Sequence, residues 1–171
     1  ASGIFTSSSP AVYTLTPGVS SAMNLGLSST ATATGTTPAI VTVLDHATAS
    51  LASTLLTGTT LDLGTWDYSI GGGTWTSGSG SKEFSIFNLA GGGGSAWTAL
   101  LALTGSSSSG DAGFTTNLNT YSLIAGGSSQ AFTVSFDTTG MTTSGTYTRN
   151  FTINMADQQN LSGAASTNTL T

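Results

Sequence analysis

Two stretches of strict alternation, joined by a turn-rich connection, restrict this chain to a β fold. Phe132, Val134 and Phe136 alternate with Thr133 and Ser135, and Tyr147, Phe151, Ile153 and Met155 alternate with Thr148, Asn150, Thr152 and Asn154. A two-residue period sends every second side chain to the same side of a strand, so each stretch reads as a strand with one apolar and one wet face. Asp137, Gly140, Ser144 and Gly145 lie between them and tolerate turn dihedrals. The sequence therefore predicts a β-hairpin over Gln130 to Met155, with a long connection that crosses a corner.

Composition sets the outer bounds. The 171 residues suffice for one large domain, or for one sandwich and an extension. Charged residues make up only 5% of the chain, and Lys82 and Arg149 are the only strong bases against seven carboxylates, a net charge of −5. Phosphate neutralisation needs clustered Lys and Arg, so a nucleic-acid partner is excluded. Serine, threonine and 23 glycines dominate, favouring short strands and flexible turns over a helical bundle. With no cysteine there is no disulfide framework and no thiolate metal site. No apolar run approaches the ~20 residues of a membrane-spanning helix. Together with this composition, the start at Ala1 without an initiator Met leads us to expect an extracellular protein, matured by signal-peptide removal.

In chain order, residues 1–18 read as an extended arm in which Ile4-Phe5 and Val12-Tyr13-Thr14-Leu15 form short strands around Ser7-Ser8-Ser9-Pro10. Residues 19–57 form a β-rich segment, with Met23, Leu25 and Leu27 alternating and a further apolar strand from Ile40 to Leu44. Ala47 to Leu56 is open between a short helix and a loop. Leu61 and Leu63 have one parity and Trp66, Tyr68 and Ile70 the other, which a bulge near Gly64 reconciles. Gly71 to Ser81 reads as turn and loop, leaving Trp75 exposed or folded back. Phe84 to Leu89 is a strand, Trp97, Ala99, Leu101 and Leu103 alternate as another, and Ser106 to Ser109 resembles a linker. Weaker strands are expected near Thr115 to Leu118 and over Ala164 to Thr171.

The stretches VTVLDHATASL, LTGTTLDLGTW, EFSIFNLA, SLIAGGSSQAFTVSFDTTG and SGTYTRNFTINMADQQNLSGA resemble secreted bacterial surface proteins built from immunoglobulin-like repeats of the choice-of-anchor D and ASPM/Hydin-like (ASH) type. The resemblance covers about residues 40–171. It implies an all-β, immunoglobulin-like sandwich over 58–171, preceded by a β-rich extension or partial second sandwich, and a structural or adhesive role for the module. In such sandwiches a Gly-x-Tyr such as Gly145-Thr146-Tyr147 forms a tyrosine corner, its hydroxyl tied back to upstream backbone. Arg149 stands where true immunoglobulin domains carry their second cysteine. The expected core includes Leu63, Phe84, Ile86, Leu101, Phe132, Val134, Phe136, Tyr147, Phe151 and Ile153.

Chemistry-bearing residues are sparse. His46, the only histidine, follows Asp45 at a strand end and reads as a loop or capping residue rather than a catalytic base; no Gly-x-Ser-x-Gly elbow marks a nucleophile. The carboxylates are scattered singly, without a calcium loop or a marked hydrolase pair, and the glycine clusters lack phosphate-cradle spacing. We expect neither an enzyme nor a cofactor. Two functions remain. The arm, through Ile4, Phe5, Val12, Tyr13 and Leu15, completes a neighbour's sheet and builds a homopolymer such as a filament or surface layer. Alternatively Trp75, in its glycine-rich surroundings, stacks on a cell-surface polysaccharide.

Overall fold

The computed structural model of the protein describes residues 41–67, 73–118, 123–139, 141–161 and 163–171, together with the strand segments 3–4, 11–15, 21–24, 30–33 and 39–40. In order the strands are β1 (Gly3–Ile4), β2 (Ala11–Leu15), β3 (Ser21–Asn24), β4 (Thr30–Ala33), β5 (Ala39–Val43), β6 (Ala49–Ser50) and β7 (Gly64–Asp67). They continue with β8 (Thr74–Gly78), β9 (Ser81–Asn88), β10 (Leu101–Gly110), β11 (Phe114–Thr116), β12 (Ser129–Phe136) and β13 (Arg149–Asp157). The architecture is an all-β sandwich. One sheet has the order β11-β12-β9-β6, and the pair β10-β13 lies in the other. Toward the N-terminus, β2 pairs antiparallel with β5, and β3 pairs with β4 and with β1. Phe5, Leu25, Leu27, Tyr68 and Ile70, all used in the sequence reading, lie outside the described residues.

The hairpin expected over Gln130 to Met155 is not one. β12 pairs with β9 and β11, whereas β13 pairs with β10, so residues 137–148 carry the chain from one sheet to the other. Alternation fixes which side chains face the core but not which strand lies alongside, and both strands turn their apolar faces to the same interior from opposite sheets. The crossing is held by the tyrosine corner. The Tyr147 hydroxyl donates to the Thr143 carbonyl at 2.6 Å, and its ring sits 5.6 Å from that of Phe136.

Three local expectations are corrected. Ser106 to Ser109 is not a linker but the exposed half of β10, laddered onto residues 150–153. A strand of serines shows no period because it has no apolar face to show; its partner supplies the reason it is extended. Gly71 to Ser81 is not all loop, because β8 forms a hairpin with β7 in which Gly64 pairs with Gly78. The expected irregularity near Gly64 is present, as a register shift between Thr65 and Trp66. Trp97 is not on a core strand. It ends a 3₁₀ turn, Ser95–Trp97, and is half-buried, while burial resumes at Thr98, Ala99 and Leu101. Residues 47–56, left open between helix and loop, contain the two-residue strand β6 followed by a bend whose amides at Ala52 and Leu56 donate to the Ser50 hydroxyl.

Packing is uneven along the sandwich. The core comprises Ala47, Ala49, Ile86, Ala99, Leu101, Leu118, Ile124, Phe132, Ile153, Met155 and Leu170. Of the expected core, Leu63, Ile86, Leu101, Phe132, Val134 and Ile153 are buried, but Phe84, Phe136, Tyr147 and Phe151 are only half-buried. The half-buried residues share one end of the molecule. We call it the Arg149 pole, after the first residue of β13, and the other the Asp157 pole, after the last.

Candidate functional site

The two poles follow from how β13 is covered. Its odd residues face inward, and burial rises along them: Arg149 and Phe151 are half-buried, while Ile153, Met155 and Asp157 are buried. On the edge away from β10, the C-terminal segment runs antiparallel beside β13. The Ile153 amide donates to the Leu170 carbonyl at 2.9 Å, the Leu170 amide returns a bond of 3.0 Å, and the Asp157 amide donates to the Ala165 carbonyl at 3.0 Å. The Thr171 amide donates to the Thr57 carbonyl, and its own carbonyl accepts from the Thr59 amide. By the two-residue period of the ladder, Phe151 and Arg149 turn their amide and carbonyl groups to the same outer edge as Ile153. Among the described residues these groups have no backbone partner.

Beside that open edge lies a half-open groove of about 840 Å³ between the sheets. Leu61, Leu63, Phe84, Phe114, Val134 and Phe151 line it, with Thr148 to Ile153 along one wall. Its volume is in the range of binding clefts, roughly 300–1,000 Å³, and its lining is mainly apolar. Arg149 brings the only cation. Its Nη1 donates to the Asp111 carbonyl at 2.7 Å and its Nη2 to the Ser108 hydroxyl at 2.8 Å, while Nε is buried without a hydrogen-bond partner. Among the described residues, which include all the carboxylates, none forms an ion pair with this guanidinium.

The Asp157 pole is tied by polar groups that the sequence did not bring together. Asp157 is 3% exposed and accepts from the Ala47 amide at 2.7 Å and the Ala165 amide at 3.0 Å, and its Oδ2 lies 2.6 Å from Nδ1 of His46. Desolvation raises its carboxyl pKa, but these hydrogen bonds and the charge on His46 lower it more, leaving it below the ordinary value. His46 is thus hydrogen-bonded to a buried carboxylate while its far side is exposed, and is not merely a strand-end cap. Asn88, fully buried, donates to the carbonyls of Ala99 and Ile124 and accepts from the Thr48 amide. No local spacing signals either residue, since His46 and Asp157 lie 111 positions apart.

The expected site residues that are described fall on three strands of three different sheets. Ile4 lies on β1, and Val12, Tyr13 and Leu15 lie on β2, whose backbone pairs with β5 of the same chain, Val12 opposite Thr42 and Tyr13 opposite Val41. Trp75 is not in a loop but on β8, opposite Trp66, and both are half-buried. Its ring covers Gly80, where an added Cβ would lie 2.3 Å from the ring. Among the described residues no group of His, Asp or Glu side chains is placed to hold a metal ion. Comparison with family models, curated proteins and solved structures gave no match.

Proposed function

We propose that this chain is a structural, extracellular subunit that assembles through β-strand complementation, the N-terminal arm of one copy adding a strand to another. One observation carries the reading: the sandwich is packed and hydrogen-bonded at the Asp157 pole, whereas at the Arg149 pole an apolar groove lies beside a stretch of strand edge that has no backbone partner among the described residues. Exposed edges in stable proteins are normally covered or guarded by charge. This one carries hydroxyls and a single Arg. Low charge and abundant Ser and Thr support the extracellular part. Deleting residues 1–16 tests the reading. The truncated chain should keep its β circular dichroism yet lose the assemblies that the full chain forms in sedimentation; retained assembly would contradict it.

A second reading rests on the cross-strand pair Trp66 and Trp75, since paired rings on a hairpin suit stacking against sugars. It predicts that pull-down on insoluble polysaccharide is lost in Trp75→Ala. Equal retention of parent and variant would remove it.

A further inference from the structure

The groove at the Arg149 pole pairs an apolar lining with a single cation, a combination that assembly does not require. Going beyond the assembly reading, we infer that it is a binding site for an amphipathic monocarboxylate, a hydrocarbon tail bearing one carboxylate. The tail lies between the sheets and the carboxylate on the Arg149 guanidinium.

The lining selects the tail. Phe84 lies on β9, Phe114 on β11, Val134 on β12 and Phe151 on β13, so both sheets contribute apolar side chains, and Leu61 and Leu63 from the segment before β7 add to them. Phe84, Phe114 and Phe151 are only half-buried, which leaves ring surface in contact with water. A hydrocarbon tail laid against those rings removes that surface from water, and the gain grows with each methylene buried. At about 840 Å³ the groove stands in the upper part of the size range of small-molecule sites.

The charge selects the head. Among the described residues no Asp, Glu or Lys side chain lines the groove. The carboxylate of Asp111 is turned to the Thr148 amide, which donates to it at 2.6 Å, so the guanidinium keeps only neutral partners, the Asp111 carbonyl and the Ser108 hydroxyl. Its buried Nε has no acceptor among the described residues, a state in which a polar group gains from an incoming one. The parallel N–H groups of a guanidinium match the two oxygens of a carboxylate. One cation also limits the ligand to one negative charge. A phosphate monoester would bring a second charge for which the groove holds no partner, and a neutral amphiphile would leave the guanidinium uncompensated.

Arg149 is the chain's only arginine, so its Nε–H gives one signal in the nitrogen-15 spectrum of the full chain and reports on the head group without any substitution. A strand added along the same wall would compete for the groove, so binding is measured below the concentration at which the chain assembles. Octanoate, decanoate and laurate, each kept below its micelle concentration, should bind with rising affinity, by up to about fourfold per methylene. Laurate should bind about tenfold or more tighter than 1-dodecanol and should shift the Arg149 Nε–H signal at saturation, which the alcohol leaves in place. Arg149→Gln, with its fold checked by circular dichroism, should bind the acid and the alcohol alike. Laurate that binds no tighter than dodecanol, an Nε–H signal unmoved at saturation, or a preference for the acid retained in Arg149→Gln would overturn the inference. Binding to vesicles of phosphatidylcholine and phosphatidylglycerol without binding of monomeric laurate would overturn it too, by making the surface a membrane contact instead.

Discussion

Asp157 shows how a chain with so few charges uses one of them. Its folded-state pKa lies below the unfolded value, so its contribution to stability is complete above about pH 4 and is lost as pH falls through the folded value. Urea midpoints measured from pH 7 to pH 2 should therefore decline in acid, and Asp157→Asn should flatten part of that decline; an unchanged acid slope would refute the assignment. At neutral pH, Asp157→Ala strands the Ala47 and Ala165 amides and should cost about 2–4 kcal/mol, whereas His46→Ala should cost less than about 1 kcal/mol, because the ring is largely in solvent. Tyr147→Phe, which removes only the hydroxyl bond to Thr143, should cost about 0.5–1.5 kcal/mol in the same assay. The two sites differ in legibility for a physical reason. The tyrosine bonds a residue four positions upstream, so spacing reveals it, while the His46 to Asp157 contact exists only once the sheets have brought distant strand ends together.

At the scale of elements, alternation identified β9, β12 and β13, whose inward faces carry Phe84, Ile86, Phe132, Val134, Phe151 and Ile153. It failed where side chains were too small to mark a face. The serines of β10 are extended because β13 supplies their hydrogen-bond partners, and β8 is extended because Gly64 and Gly78 let two backbones approach closely enough to pair. At Gly64, φ is +112° and an added Cβ would lie 2.0 Å from the Ser77 carbonyl oxygen. Gly64→Ala should thus separate the β7–β8 hairpin, at a cost of about 1–3 kcal/mol, and shift the fluorescence of Trp66 and Trp75 toward that of solvated indole. A variant with parental fluorescence and stability would show that the close approach is not needed. Trp75 itself was misplaced by its glycine neighbours, which serve the hairpin and the packing of the ring on Gly80 rather than a free loop.

For the molecule as a whole, the sequence specified a sandwich but not which part of the β13 edge is covered among the described residues, because alternation marks the faces of a strand and not its edges. Phe151 records the difference. As a closed-core residue it would cost about 3–5 kcal/mol on truncation, but half-buried on the groove wall it should cost the isolated chain nearer 1–2 kcal/mol, with a larger loss in the assembled form. Equal losses in both forms would mean that nothing covers the ring. The most direct test of strand complementation at this edge is amide hydrogen exchange at Phe151 in the full chain, compared below and above the concentration at which it assembles. A strand added beside β13 bonds that amide, so its exchange should slow by at least an order of magnitude on assembly while the Ile153 amide, already bonded to Leu170, changes little. Exchange at Phe151 that is the same in the two states would contradict the account.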